Sequence, residues 1–71
     1  MKYMYDSIVL DTDRSEILEN GILTKLTKID DNRYKINNIL YTINKNKSLT
    51  KETKVVDSLL IQISNETFDH I

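Results

Sequence analysis

The residues best suited to chemistry in this chain are two aspartates that follow an apolar run. Asp11 and Asp13 lie in the stretch SIVLDTDRS, residues 7–15. A carboxylate after a buried strand can act as a nucleophile, and a second one two residues later can act as an acid or base. The same pair could ligate a cation. His70 is the only histidine, and no cysteine is present to share a metal with it.

This stretch resembles the first motif of haloacid-dehalogenase-type phosphatases, with Asp11 as nucleophile and Asp13 as acid–base. That family needs a large doubly wound sheet, a remote lysine and a second acidic pair, and 71 residues are too few to supply them. The stretch also resembles the start of an EF-hand loop, but Glu16 and Ile22 replace the required glycine and bidentate glutamate. Gly21 is the only glycine, so no phosphate loop is present. We therefore predict no enzyme, no catalytic residue, no cofactor and no metal.

A second stretch, residues 33–48, interleaves tyrosines with basic residues, a pattern that can stack on nucleic acid bases. Asn37-Asn38 can form a two-residue hairpin turn, which fixes the faces of the two flanking strands. One face then carries Tyr34, Ile36, Ile39, Tyr41 and Ile43, and the other carries Arg33, Lys35, Leu40, Thr42 and Asn44. Because the tyrosines sort with the isoleucines, this pattern favours core packing over base stacking.

The composition predicts one small domain, residues 1–71, without disulfides, since the chain has no cysteine. Alanine is absent, whereas isoleucine, threonine and tyrosine favour strands. No apolar run approaches the ~20 residues that cross a bilayer, and no apolar signal-peptide core follows Lys2. We expect a soluble, cytoplasmic protein that does not enter a membrane.

The order of elements is clear in most of the chain and open at residues 11–21. Residues 2–10 and 22–29 are predicted as strands. Between them, Asn20-Gly21 could turn a hairpin that sets Glu16 opposite Lys25, or one helix could run over residues 14–29. A short helix near residues 12–20 is the third option, and we favour it. Residues 30–32 read as a turn whose register is open, and a bulge there would reconcile the alternatives.

A C-terminal helix is the strongest prediction. Ser48 or Thr50 could cap it. Its proposed apolar stripe, which would pack on the sheet, consists of Val55, Val56, Leu59, Leu60 and Ile63. The predicted fold is therefore α+β: a small antiparallel meander of about four strands, packed by a C-terminal amphipathic helix.

The charge is segregated along the chain, with net −3 over residues 1–20, +5 over 21–54 and −3 over 55–71. The basic middle could be a binding surface, or the acidic ends could fold back and neutralise it. Ile61 falls off the helical stripe, and Phe68 would join it one i+7 step later as an exposed apolar contact. The predicted partner-binding residues are Arg33, Lys35, Lys45, Lys47, Lys51, Lys54, Ile61 and Phe68.

These features support two hypotheses of function. The first is a non-enzymatic protein-binding module, an inhibitor or regulator of a larger protein, with a homodimer as a further option. The composition resembles that of small accessory proteins of phages and mobile elements, which would imply a host nucleic-acid-processing enzyme as partner and an anti-defence role such as anti-CRISPR. The second is a nucleic-acid-binding module, because a helix, a meander and a second helix resemble a double-stranded-RNA-binding domain in outline.

Overall fold

All nine secondary-structure elements of the protein are β-strands, and they follow one another through turns and bends. The computed structural model describes residues 1–71. The strands are β1 (Lys2–Tyr5), β2 (Ile8–Asp11), β3 (Glu16–Glu19), β4 (Ile22–Lys25), β5 (Thr27–Asp30), β6 (Arg33–Ile36), β7 (Ile39–Ile43), β8 (Leu49–Val56) and β9 (Ile61–Phe68). The first four form one antiparallel sheet and the last five form a second, each in sequence order. Both sheets are therefore meanders.

The predicted α+β fold is wrong, because the chain contains no helix. The segment expected to form the C-terminal helix forms β8 and β9, which pair along their whole length. Its many β-branched residues favour extended backbone, and the chain has no alanine to favour a helix. The outline of a double-stranded-RNA-binding domain fails for the same reason, since it requires two helices. No helix is present that has the length and apolar character to cross a membrane.

The short helix expected near residues 12–20 is also absent. Asn20 and Gly21 form the tight turn between β3 and β4, with φ angles of 51° and 80°. Positive φ at both central residues is the requirement of a type I′ hairpin turn, which asparagine and glycine satisfy at least cost. Glu16 lies opposite Lys25. The hairpin alternative for this segment is therefore confirmed.

The predicted hairpin at Asn37-Asn38 is confirmed in its register. Tyr34 lies opposite Tyr41 and Ile36 opposite Ile39, and Asn37 adopts a φ of 49°. The preceding pair, β5 and β6, contains a bulge between Lys28 and Asp30. That bulge supplies the extra residue that the alternative registers of this turn required.

The inner faces of the two sheets pack against each other to form one core. Its buried apolar members are Tyr5, Ile8, Leu10, Ile17, Leu26, Tyr34, Tyr41, Ile43 and Leu49. Tyr34 is 1% exposed and Tyr41 is 3% exposed, so the prediction that the tyrosines pack in the core is confirmed. Neither ring can stack on a nucleic acid base, because neither is accessible.

The residues after β9 make backbone contacts with the first sheet. His70 bridges to Tyr5 in β1, and the Ile71 N–H donates to the Met4 carbonyl over 2.9 Å. The residues that follow β9 therefore cover the edge of β1. Elsewhere the chain passes from the first sheet to the second at Leu26, whose N–H donates to the Ser15 carbonyl over 2.7 Å and so extends the β3–β4 pairing.

Candidate protein-binding surface

The far half of the β8–β9 hairpin extends beyond the rest of its sheet. β7 pairs with β8 only as far as Thr53, whereas β8 and β9 stay paired as far as Val56 and Ile61. Every residue from Lys54 to Ile63 is exposed. We call residues 54–63 the arm.

The arm presents six large aliphatic side chains to solvent, and no other segment of ten residues exposes as many. They are Val55, Val56, Leu59, Leu60, Ile61 and Ile63, with exposed fractions from 50% to 92%. The accessible surface of the chain is 5140 Å², whereas a compact monomer of this mass has about 4,600 Å². Contiguous exposed apolar clusters of this kind are uncommon on monomeric proteins.

The local sequence explains why this segment forms a hairpin. Asp57 and Leu60 exchange two backbone hydrogen bonds, of 2.8 and 3.3 Å, around the turn residues Ser58 and Leu59. The Asp57 carboxylate also accepts a 2.7 Å hydrogen bond from the Ser58 N–H. Asp57-Ser58 is thus a turn signal. It is difficult to recognise in the sequence because the aliphatic residues on both sides of it also fit the spacing of a helix.

The root of the arm is anchored to the neighbouring hairpin turn. The side-chain amide of Asn38 donates to the Lys54 carbonyl over 2.6 Å, and the Lys54 N–H donates to the Asn38 carbonyl over 2.9 Å. These two bonds hold the arm in line with β8, where β7 no longer supports it. The arm therefore projects from a fixed base.

A polar cluster joins the two sheets close to the core. Glu19 in β3 accepts a 2.8 Å hydrogen bond from the Tyr41 hydroxyl and pairs with the Lys51 ammonium over 2.7 Å. The ammonium also lies 6.0 Å from the centre of the Tyr41 ring, within cation–π range. One carboxylate thus links strands from both sheets.

The environment of this cluster sets its protonation. Burial alone would raise the pKa of Glu19, but hydrogen bonds from Lys51 and Tyr41 outweigh burial and hold that pKa below its usual value. Burial, followed by the hydrogen bond to the Glu19 carboxylate, raises the pKa of Tyr41 well above its usual value. At neutral pH the cluster is therefore an ion pair capped by a neutral phenol.

The cluster lies at the edge of a cleft of about 360 Å³ between the sheets. Four isoleucines also line it, namely Ile17, Ile22, Ile36 and Ile39. No buried side-chain polar atom in the protein lacks a hydrogen-bond partner. Both oxygens of the Glu19 carboxylate already have partners within the protein, and we assign the cluster a role in holding the sheets together.

Two of the predicted partner-binding residues are engaged within the protein. Arg33 pairs with Asp30 over 2.7 Å, and Lys51 faces the other sheet, where it pairs with Glu19. The side chain of Lys51 is only 18% exposed. Only the Lys51–Glu19 pair joins the basic middle of the chain to an acidic end, because Asp30 belongs to the middle itself.

The other four predicted lysines are exposed and make no ion pair, but they do not form one surface. Lys35 and Lys54 share a shallow depression of about 230 Å³ beside the root of the arm. Lys45 and Lys47 lie in the loop before β8, at the end opposite the arm and roughly 25 Å away along the strand. Only Lys35 and Lys54 accompany the arm.

The structure does not bring the two predicted apolar contact residues together. Ile61 and Phe68 stand at opposite ends of β9, and because their spacing is odd their side chains point to opposite faces. Ile61 is exposed on the arm, whereas Phe68 packs against the core. The helical spacing that would bring them together does not apply in a strand. The exposed apolar surface around Ile61 is formed by the other aliphatic residues of the arm and not by Phe68.

The two aspartates that suggested chemistry have structural partners. Asp11 accepts hydrogen bonds from the N–H groups of Asp13 and Arg14, over 3.1 and 3.3 Å, and so forms the turn after β2. Asp13 pairs with the amino group of Met1. No group of three or more histidine, cysteine, aspartate or glutamate residues is arranged to hold a metal ion.

Comparison of the chain with protein-family models, with characterised proteins and with solved structures gives no match.

Proposed function

We propose that this chain is a non-enzymatic protein-binding module, an inhibitor or regulator of a larger protein, and that the arm is its anchor. The observation that supports the proposal is the cluster of six exposed aliphatic side chains on a projecting, anchored hairpin. Such side chains release water when they enter an apolar groove, at about 25 cal/mol per Å² of apolar surface. The fully buried centre of a protein–protein interface is more apolar than its rim, which suits side chains of this kind.

The surroundings of the arm indicate the chemistry of its partner. Lys35 and Lys54 flank the root without an ion pair, with Glu52 between them in the same depression. An apolar groove with an acidic rim would complement this arrangement, since opposite charges at the rim speed association and fix orientation. We propose a host nucleic-acid-processing enzyme as the partner, bound in the cytoplasm by an accessory protein of the phage or mobile-element type, as in an anti-defence or anti-CRISPR role.

A quantitative capture experiment tests the proposal. Tagged wild type, the arm variant Leu59→Ser/Leu60→Ser and the control variant Met4→Ser/Leu23→Ser are each incubated with extract of the native host cells. Both variants lose two exposed apolar side chains, but only the first loses them from the arm. We expect one host protein at near-stoichiometric yield with wild type and control, and at least ~10-fold less with the arm variant.

Two results would count against the proposal. Equal recovery with all three proteins would remove the arm as anchor. Micromolar binding to labelled duplex or single-stranded nucleic acid that weakens steeply with salt would replace protein binding with nucleic acid binding.

A further inference from the structure

We propose that two copies of this chain pair through the open edge of β9, around a two-fold axis at Gln62, to form a dimer. This inference does not rest on the proposed function, because it concerns the edge of the arm and its test contains no partner.

The backbone of β9 presents unpaired hydrogen-bonding groups at this edge. Asp57 and Leu60 exchange both of their hydrogen bonds, and such pairs alternate with non-bonded pairs along an antiparallel ladder. Ile61 and Ile63 are therefore in non-bonded pairs with Val56 and Lys54. Their N–H and C=O groups point away from β8, where a second strand can bind them.

The side chains favour one register for that second strand. If Ile61 pairs with Ile63 of the other copy, the free backbone groups form four hydrogen bonds and Gln62 faces its own copy at the axis. Ile61, Ile63 and Val56 lie on one face of the arm. The dimer therefore joins three aliphatic side chains from each copy into one cluster, with the two Lys54 side chains at its far ends.

The base of β9 is not available for the same pairing. His70 and Ile71, which continue from β9, bond to β1 of the other sheet. A second copy that paired along the whole length of β9 would bring its arm turn against this contact. The contact therefore favours pairing through the arm half of the strand.

The area involved predicts a weak dimer. The proposed contact consists of one short strand edge and three aliphatic side chains from each copy, far fewer than the roughly 20–30 residues per partner of a standard stable interface. The two-stranded arm would gain from the additional strands, since an isolated two-stranded hairpin is marginal in water. We expect a dissociation constant of about 10–100 µM for the dimer.

Light scattering after size exclusion gives the first test. The mass should rise from 8.3 kDa towards twice that value as the concentration increases through this range. Ile61→Lys/Ile63→Lys should remain monomeric, whereas the control Met4→Lys/Leu23→Lys, which places the same charges on exposed positions of the other sheet, should dimerise like wild type. Circular dichroism would confirm that both variants are folded.

Cysteine trapping tests the register, and the absence of native cysteine makes it unambiguous. In the proposed dimer the Cα atoms of the two Gln62 residues are about 4.5 Å apart, within the range of a disulfide. The two Ser64 residues, on the same strand and face, would be about 13 Å apart. In a glutathione buffer Gln62→Cys should form a covalent dimer, and Ser64→Cys should not.

Each result decides the proposal. Selective trapping at position 62 with concentration-dependent mass supports it. A monomer at every concentration up to about 1 mM would overturn it, and so would equal trapping at both positions or a dimer that only Met4→Lys/Leu23→Lys abolishes.

Discussion

Glu19 shows how one polar residue positions two sheets that share a small core. Both of its carboxylate oxygens are used, one by the Tyr41 hydroxyl and one by the Lys51 ammonium. Its side chain is only 21% exposed. A charge-assisted hydrogen bond that is shielded from water contributes more to stability than a surface ion pair does.

Replacing this carboxylate with a neutral amide, Glu19→Gln, should lower the free energy of unfolding at pH 7 by about 1–2 kcal/mol. The pKa of Glu19 is lowered in the folded protein from its usual value of 4.5. The stabilisation is therefore present above pH 4.5 and is lost as the pH falls through the lower folded-state pKa. Urea unfolding between pH 2 and pH 7 measures it, and the wild-type and variant curves should converge at the acid end.

Glu16→Gln is the matched control, because Glu16 lies on the same strand and makes no ion pair. It should lower the free energy of unfolding at pH 7 by less than Glu19→Gln does. A constant difference between wild type and Glu19→Gln at every pH would show that the ion pair does not stabilise the fold.

The turn between β3 and β4 depends on left-handed backbone at Gly21. A Cβ at this position would meet no atom within 4 Å, so only the backbone opposes a side chain there. Gly21→Ala should cost about 1 kcal/mol or somewhat more. Gly21→Asn should cost less, since asparagine tolerates this conformation. Thermal unfolding of both variants measures the difference, and equal melting temperatures would contradict the argument.

At the scale of the elements, the arm depends on its root. Asn38→Ala removes the side-chain bond to the Lys54 carbonyl but leaves the backbone bond between the same residues. Loss of about 1 kcal/mol of local stability should speed amide exchange in the arm by about fivefold. Hydrogen exchange read by NMR should show this change in residues 54–63 and not in β2.

Asn65→Ala provides the comparison for that experiment, because the side chain of Asn65 is exposed and makes no hydrogen bond. It should leave the arm amides unchanged. Faster exchange throughout the protein in Asn38→Ala would mean that the bond supports the whole fold and not the arm.

Hairpins whose turn chemistry is local could be predicted from the sequence, and the long C-terminal hairpin could not. The register of β6 and β7 could be predicted because a two-residue turn at Asn37-Asn38 allows only one pairing of the flanking strands. Side chains then alternate between the two faces of each strand, so the face of every residue follows. The prediction of a C-terminal helix failed because the aliphatic residues on the two sides of the β8–β9 turn are spaced as they would be on one face of a helix. These residues are Val55, Val56, Leu59, Leu60 and Ile63. The sequence predicts Lys54 and Ile61 of the arm as contact residues, but it assigns the other aliphatic residues of the arm to a buried stripe. Only the three-dimensional pairing shows that these residues are exposed.

At the scale of the whole molecule, the core is small. Only 10 of 71 residues are buried, and a domain of this length has about 4–10 kcal/mol of stability. The apolar surface of the arm adds nothing to that core in the isolated chain. Any partner or second copy that covers the arm would therefore raise the apparent stability by mass action.

A matched pair of leucines shows how much of the stability the core supplies. Leu10 is fully buried and Leu23 is 63% exposed. Leu10→Ala should cost about 2–4 kcal/mol, because the cavity cannot be filled by its neighbours, whereas Leu23→Ala should cost less than about 1 kcal/mol. Denaturant unfolding of both variants compares them. Similar losses would mean that the outer face of the first sheet is covered in solution.

The bond from Ile71 to Met4 holds the last residue against β1, the first strand of the chain, at the end of β9 farthest from the arm turn. A short peptide linker could therefore join the two ends of the chain, and the polypeptide could be reopened between Ser58 and Leu59 without changing the strand order of either sheet. A circular permutant with its ends at the tip of the arm should retain the same core.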